Sequence, residues 1–399
     1  MKSIAFFYWE HEDGVTQKFY EMMSNSLQKF GYNVIPMCPS AADFDSQCTR
    51  LACSAQLDFC IGLTPQSVNI SVNGTPIWKY LDYPFFIYIL DTPIYHLVSA
   101  SMQELLLEKN RKIVFGYPDA NQMKIMSKAC KLHKIKHESL FIPFAAPRNP
   151  NKINTWGNRD IEISVFGNVG KEISAHNLES SAHDTLKKYS NTDIPITRWV
   201  ECIHNYINSS LPMNVTDSLL HQSGVEINKI FDPIWCSALT DADSFIKRFR
   251  RIQIVKSLKG KKINTYGTGW DNYDNEISNM VHHGKTPYQK QFEIFNRSKI
   301  SVNIDPNWDF GVHDRVFNAA SVGAISLTQR NPYIESILPD GVGCLCYAPN
   351  GSDIADAIND NTSLLEEISY EGHRRTQLFH NWDYRTAEII AYMTNSQPR

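Results

Sequence analysis

Residues 309–347 read DFGVHDRVFNAASVGAISLTQRNPYIESILPDGVGCLCY. Within them Val316, Phe317, Ala319, Ala320 and Val322 give a short helix its apolar face, Gly323 stops it, and Ala324 to Leu327 is a buried strand. A second helix and strand follow. This alternation is an α/β unit of a parallel sheet. His313, Asp314 and Arg315 stand just before the helix, where such sheets hold ligands, beyond strand ends and at helix N-termini. The chemistry placed there is anion holding.

The same alternation runs outward in both directions. Ser3 to Trp9 is an apolar first strand, followed by a polar loop (Glu10 to Gly14) and a helix from Val15 to Phe30 closed by Gly31. Tyr32 to Met37, Leu57 to Leu63, Pro84 to Leu90, Lys112 to Gly116 and Ser139 to Ile142 are further strands, with helices at Ala41 to Ala55 and Asn121 to His133. Strands alternating with helices predict a doubly wound parallel sheet. Phe144 to Arg159 concentrates Pro, Asn, Gly and charge without a period, which is a linker composition. The expected organisation is a first domain over 1–146, a linker at 147–160, a second domain over 161–380 and a terminal helical segment over 381–399. Within the second domain, residues 174–242 read as a helical insertion and Phe245 to Leu258 as a basic amphipathic helix. Strands at Ile161 to Phe166, Lys261 to Tyr266 and Lys299 to Ile304, with a helix at Thr286 to Asn296, complete it.

Size and charge narrow the function. A chain of 399 residues with 42% hydrophobic and 12% aromatic residues supports two cores. A net charge of −3 gives no field for general nucleic-acid binding. Nine cysteines without CxxC spacing read as reduced buried thiols. The N-terminal apolar run is too short for a signal peptide, and no run approaches the roughly 18 apolar residues of a membrane span. A cytoplasmic location is the expectation.

Several residues carry chemistry in this frame. Gly167 and Gly170 would let backbone amides approach a diphosphate with Lys171 beside them, or they form a plain strand-to-helix turn. Their spacing matches neither a P-loop nor GxGxxG. Gly267 and Gly269 also permit close approach, with Trp270 walling a pocket or filling a core. Arg315 offers a bidentate fork to phosphate, or pairs with Asp314 or Asp309, and His313 is poised likewise. Glu10, His11, Glu12 and Asp13 follow the first strand, a loop holding candidate general bases or simply a solvated acidic turn. Asp91 and His96 follow the most apolar strand, in a catalytic role or with Asp91 as a helix cap.

The segment RVFNAASVGAISLTQRNPYIESILPDGVGCLCYAPNGSDIADAI resembles the nucleotide-sugar half of group 1 glycosyltransferases, most closely the CgeB-like branch. YILDTPIYH and HNWDYRTAEII are similar to segments of that family. The resemblance implies the GT-B fold, two Rossmann-like α/β domains with parallel sheets facing across a cleft, and a terminal helix that crosses back to the first domain. It implies a nucleotide-sugar donor as substrate, no separate cofactor, and a glycan, protein or small-molecule acceptor. It further implies the Gly167 loop beside the donor phosphates and Tyr288 at the base, ordinary packing of the Tyr288 ring being the alternative. Asn318 stands where the family has a ribose-binding Glu. If Asn318 faces the ribose, a Glu there should preserve or improve nucleotide binding. No DxD triplet follows a strand, so metal-independent transfer is expected, with Arg315 and Lys171 handling phosphate charge. A sugar-nucleotide epimerase or hydrolase, and a degenerate nucleotide- or glycan-binding module, are the alternatives on the same fold.

Overall fold

The computed structural model describes residues 2–10, 13–54, 56–148, 153–170, 177–304 and 306–395. The chain forms two compact units, Met1–Pro143 with Asn381–Arg399, and Phe144–His380.

In the first unit, chain order gives β1 (Ser3–Phe7), β2 (Asn33–Met37), β3 (Phe59–Leu63), a small antiparallel ribbon of β4 (Ser71–Val72) and β5 (Thr75–Pro76), then β6 (Phe85–Tyr88), β7 (Ile113–Tyr117) and β8 (Glu138–Phe141). The main sheet is all parallel in the order β2-β1-β3-β6-β7-β8. The burial pattern explains the order. Every residue of β3, β6 and β7 is buried, as suits inner strands covered on both faces, whereas β2 and β8 are partly open at the edges. The terminal helix Trp382–Asn395 packs within this unit on the helix Val15–Lys29. Trp382 meets Phe19 edge-on at 5.6 Å, Thr386 and Ser26 share a buried hydrogen bond, and Arg385 Nε donates to Pro143 O at 3.1 Å. Trp382 is 1% exposed, a burial that stabilises by roughly 3 kcal/mol.

Thr64, directly after β3, has φ 68° and ψ 154°. This backbone region is used almost only by glycine and costs about 1–3 kcal/mol.

The second unit contains β9 (Ile161–Phe166), β10 (Ile263–Tyr266), β11 (Met280–His282), β12 (Ser298–Val302), β13 (Ile325–Gln329) and β14 (Leu345–Tyr347). They pair in parallel as β11-β10-β9-β12-β13-β14. Counted within the unit, this is 3-2-1-4-5-6, the doubly wound order whose switch point lies between β9 and β12. The helix Asp314–Ser321 and the strand Ile325–Gln329 are those of the quoted stretch, with Gly323 at φ 76° between them.

Residues 153–160, read in sequence as linker, fold into this unit. Arg159 is 5% exposed and donates to the carbonyls of Asn154, Phe295, Ser298 and Val322, so a side chain of linker type closes several helix and strand ends. The basic helix is longer than its sequence reading. It runs Pro233–Ser257 as one piece, started by Asp232, whose carboxylate accepts from the Ile234 and Trp235 amides, and by Pro233 in the first turn. It packs with the helices Leu178–Leu186, Ile196–Asn208 and Val215–Gln222, and Trp199 and Trp235 meet edge-on at 5.7 Å. Its second half carries Arg248, Arg250 and Arg251. All nine cysteines are unpaired. No helix among the described residues is long and apolar enough to cross a membrane.

Candidate functional site

Two glycine turns meet at the carboxyl end of the second sheet. Register aligns Phe166 with Tyr266, so the loops after β9 and β10 leave the sheet side by side. A Cβ on Gly267 would lie 2.3 Å from Gly167 O, and one on Gly269 would lie 2.0 Å from Gly170 O. Both residues have positive φ, 143° and 87°. Glycine is therefore required by the contact between the loops and by the backbone itself. The amides are engaged in the same contact: Gly167 N donates to Tyr266 O, Val169 N and Gly170 N to Thr268 O, and Gly267 N to Gly284 O. Thr268 N donates to Asn168 Oδ1, and Trp270, fully buried, donates Nε1–H to Gly167 O at 2.7 Å. The Gly167, Val169 and Gly170 amides are therefore engaged within the protein, the residues that follow Gly170 in the expected phosphate loop lie outside the described residues, and Trp270 is a clamp between loops. Lys171 lies outside the described residues.

The surroundings of this loop are cationic. The Arg251 side chain lies over Gly167, its Nε 2.8 Å from where a Cβ would be, and its Nη1 donates to Asn168 O at 2.7 Å. The Arg248 stem covers Gly170. From the other side Arg315 donates Nη1–H to Phe166 O, the last residue of β9. Three partly exposed guanidinium groups thus border residues 166–170 beside the switch point. Sequence pattern does not single out Arg248 and Arg251. The basic character of their helix is the available signal, but which turn of it meets the loop is a tertiary fact. The intervening Arg250 is 1% exposed and structural, donating to Tyr206 O and Pro349 O.

Asp314 organises the other residues of the predicted site. It is 2% exposed. Its Oδ2 accepts from the Tyr288 hydroxyl and from Asn318 Nδ2 (2.9 Å), and Oδ1 lies against His313 Nδ1. His313 Nδ1 is also 3.2 Å from Arg315 Nε and 3.4 Å from its amide. Burial alone would push the Asp314 carboxyl up, yet it sits below its ordinary value because His313, the Tyr288 hydroxyl and Arg315 together outweigh desolvation. Tyr288 is 4% exposed, and its hydroxyl is pushed well up, first by burial and then by Asp314. Asn318 is fully buried and donates to Tyr288 Oη at 2.8 Å as well. Two expectations are corrected here: the Tyr288 ring does not lie open for a base, and Asn318 does not face a ribose. Both are turned inward by a carboxylate one helical turn before Asn318. His313 remains partly exposed, its ring 6.0 Å from those of Trp308 and Phe144.

In the first unit the candidate residues stand at the carboxyl ends of their own strands. Glu10, past β1, is exposed and accepts from Ser40 Oγ at 3.2 Å. Asp91, past β6, is exposed. His96, on the short helix Ile94–Leu97, is 5% exposed, with Nδ1 2.8 Å from Gln66 Nε2 and Nε2 closed to water without a partner among the described residues. Burial pushes its pKa down, against the opposing charge of Asp91. That nitrogen is shut off from solvent in this conformation, whereas the Glu10 and Asp91 carboxylates are exposed. His11 lies outside the described residues.

Residues 249–391 match the family model of glycosyl transferase-like proteins. No curated protein has a matching sequence. Among solved structures, sucrose-phosphate synthase from Thermosynechococcus elongatus is similar over 99% of both chains, with a TM-score of 0.54 and 8% identity. AviGT4, a glycosyltransferase involved in avilamycin A biosynthesis, is similar over 98% of this chain and 97% of its own, with a TM-score of 0.50 and 9% identity. The fold is GT-B. A glycosyltransferase from Rickettsia africae shares it, over 99% of both chains with a TM-score of 0.50 and 8% identity. At these identities the likeness is one of GT-B architecture, and site chemistry rests on the residues themselves.

Proposed function

We propose that this chain is a glycosyltransferase that moves a sugar from a nucleotide-sugar donor to a hydroxyl-bearing acceptor, without a divalent ion. The observation that carries the reading is the set of Arg248, Arg251 and Arg315 around residues 166–170, beside the switch point of a 3-2-1-4-5-6 parallel sheet. Departure of a nucleoside diphosphate leaves two negative charges that need fixed cations, and guanidinium forks bind phosphate oxygens in pairs. Arg315 is held by Phe166 O and lies beside His313, so its plane is set before a ligand arrives. Preorganised charge of this kind is worth about 3 kcal/mol per contact in the transition state. Glu10 and Asp91 are the acceptor-side carboxylates of this reading, since each is exposed at a strand end. The residue pattern of 315–358 favours a CgeB-like relative, and cytoplasmic action accords with the unpaired thiols.

A nucleotide- or glycan-binding module without turnover is the second reading, favoured by the inward-turned Asn318 and the internally bonded glycine-loop amides. Incubation with a panel of nucleotide sugars in EDTA, with and without mixed glycan acceptors, separates the cases. Nucleoside diphosphate release that requires acceptor supports transfer. Turnover without acceptor indicates an epimerase or hydrolase, and binding without turnover indicates the module.

A further inference from the structure

The helices of residues 178–222 take no part in the arginine set at residues 166–170, yet they wall a cavity. It measures about 690 Å³, a size ordinary for small-molecule sites, and lies within the second unit. Its three main walls are the carboxyl end of the helix Ile196–Asn208, the helix Pro233–Ser257, and residues 351–355 that follow β14. These walls are fixed to one another. Arg250, 1% exposed, donates from Nη2 to Tyr206 O at 2.7 Å and from Nη1 to Pro349 O, so one guanidinium joins the two helices to the loop after β14. Asn350 Nδ2 donates to Asn208 O at 3.2 Å, and a Cβ on Gly351 would stand 2.2 Å from Ile254 Cδ1. A frame tied in this way holds the cavity open before any ligand arrives, which lowers the cost of binding.

The lining sets the class of ligand. Ile207, Ile252 and Ile354 give it a buried apolar floor, beside the half-buried ring of Phe249. Its ionisable side chains are His204, Lys256 and Lys259, and no Asp or Glu among the described residues lines it. Lys256 is paired with Glu276, just outside the lining. Lys259 is exposed and has no ion-pair partner among the described residues, so it is the uncompensated cation. One such charge matches a monoanion, whereas a phosphate dianion calls for a second cation or a guanidinium fork. We propose that this cavity binds a small molecule with an apolar body and a single carboxylate, the body on the isoleucine floor and the carboxylate at Lys259. The helical insertion then has a task, since its second helix supplies one wall. Arg248 and Arg251 belong to the same long helix but do not line the cavity, so the site is separate from the one at residues 166–170 and does not rest on the glycosyl-transfer reading.

Octanoate is the probe, with octanol, octylammonium and octyl phosphate as controls, titrated calorimetrically into the full chain at low salt. One octanoate should bind per chain, more tightly than any control. Lys259→Glu should weaken octanoate about fivefold at low salt and less at high salt, the scale of an exposed charge pair, while octanol binding stays as in the parent. Ala355→Phe places a ring in the cavity from the third wall and should abolish binding of octanoate and octanol alike. Should that variant fail to fold, methyl spectra of the parent take its place: the Ile207, Ile252 and Ile354 resonances should move as octanoate is added. Arg315→Ala should leave octanoate affinity within about twofold of the parent. Loss of octanoate binding in Arg315→Ala would put the probe at residues 166–170 and overturn the proposal. So would the lack of saturable octanoate binding, equal affinity for octanoate, octanol and octylammonium, tighter binding of octyl phosphate, an unchanged affinity in Lys259→Glu, full binding by a folded Ala355→Phe, or unmoved isoleucine methyls. None of these results bears on nucleoside diphosphate binding, which its own titration decides.

Discussion

Asn318→Asp changes one NH2 into an oxygen at a fully buried position, where two close neighbours set its cost. Asn318 Nδ2 donates to Asp314 Oδ2 at 2.9 Å and to Tyr288 Oη at 2.8 Å. An ionised carboxylate introduced at position 318 would oppose Asp314 at that separation, costing about 6 kcal/mol even at an effective dielectric constant of about 20. Protonating the new carboxyl at pH 7 is cheaper, about 4 kcal/mol given an unfolded pKa near 3.9. The protonated group recovers one of the two hydrogen bonds, so the loss of the other adds about 1 kcal/mol. The total, about 5 kcal/mol, is a large share of a typical domain stability. It should depend on pH in a set direction. The folded pKa of the introduced carboxyl lies above its unfolded value, so the penalty is largest at neutral pH and shrinks by about 1.4 kcal/mol per unit as pH falls toward 4. Urea unfolding of the second unit at pH 7.5 and 5.5, followed by tryptophan fluorescence, measures this. Asp314→Asn/Asn318→Asp, which again places one carboxylate beside one amide, should regain most of the loss. Asn318→Glu adds a methylene to the same conflict and should lower nucleotide binding through the fold, contrary to the expectation from sequence. An Asn318→Asp protein within about 1 kcal/mol of the parent at pH 7.5 would refute the Asp314–Asn318–Tyr288 geometry.

Gly269→Ala should cost about 3 kcal/mol, because its Cβ would stand 2.0 Å from Gly170 O at φ 87°, whereas Gly284→Ala, with open space at φ 73°, should cost about 1 kcal/mol; equal melting-temperature drops would contradict the loop contact. Burial holds the His137 ring at about 4 against an ordinary 6.5, so its contribution to stability is intact above pH 6.5 and about 3 kcal/mol is lost by pH 4; urea midpoints for His137→Phe should lose that part of the acid sensitivity. Arg248→Ala should weaken nucleoside diphosphate binding more at low salt than at high salt, since the group is partly exposed and acts by charge; calorimetry showing no change at either salt would remove it from the site.

The parts of this molecule legible in sequence are those fixed by local pattern. The apolar face from Val316 to Val322, the stop at Gly323 and the buried run Ile325–Gln329 are period and turn chemistry, and they stand where the pattern put them. PFFIYIL lies inside its sheet because a strand buried on both faces must be apolar throughout. The three-residue edge strand Met280–His282 leaves no such trace and reads as loop. Arg159 is lost among linker-like neighbours because its role, tying four carbonyls, is defined mostly by residues more than a hundred positions away. At the site, residue types are informative and directions are not. Arg315 stands at the strand end, but Tyr288 and Asn318 turn inward because Asp314 is buried beneath them, and nothing in the one-dimensional pattern distinguishes a carboxylate facing in from one facing out.

If guanidinium groups at residues 166–170 hold the diphosphate of a nucleotide sugar, the binding is measurable without any acceptor. Calorimetric titration of UDP, GDP, ADP, CDP and dTDP in EDTA, on the parent and on Arg315→Ala, makes that measurement. At least one nucleoside diphosphate should bind the parent without a divalent ion, and Arg315→Ala should weaken it about 100-fold, the loss of roughly 3 kcal/mol, while the melting temperature of the unliganded protein stays close to the parent's. Binding that requires a divalent ion, or affinity within about twofold of the parent after Arg315→Ala, would contradict a guanidinium-held diphosphate.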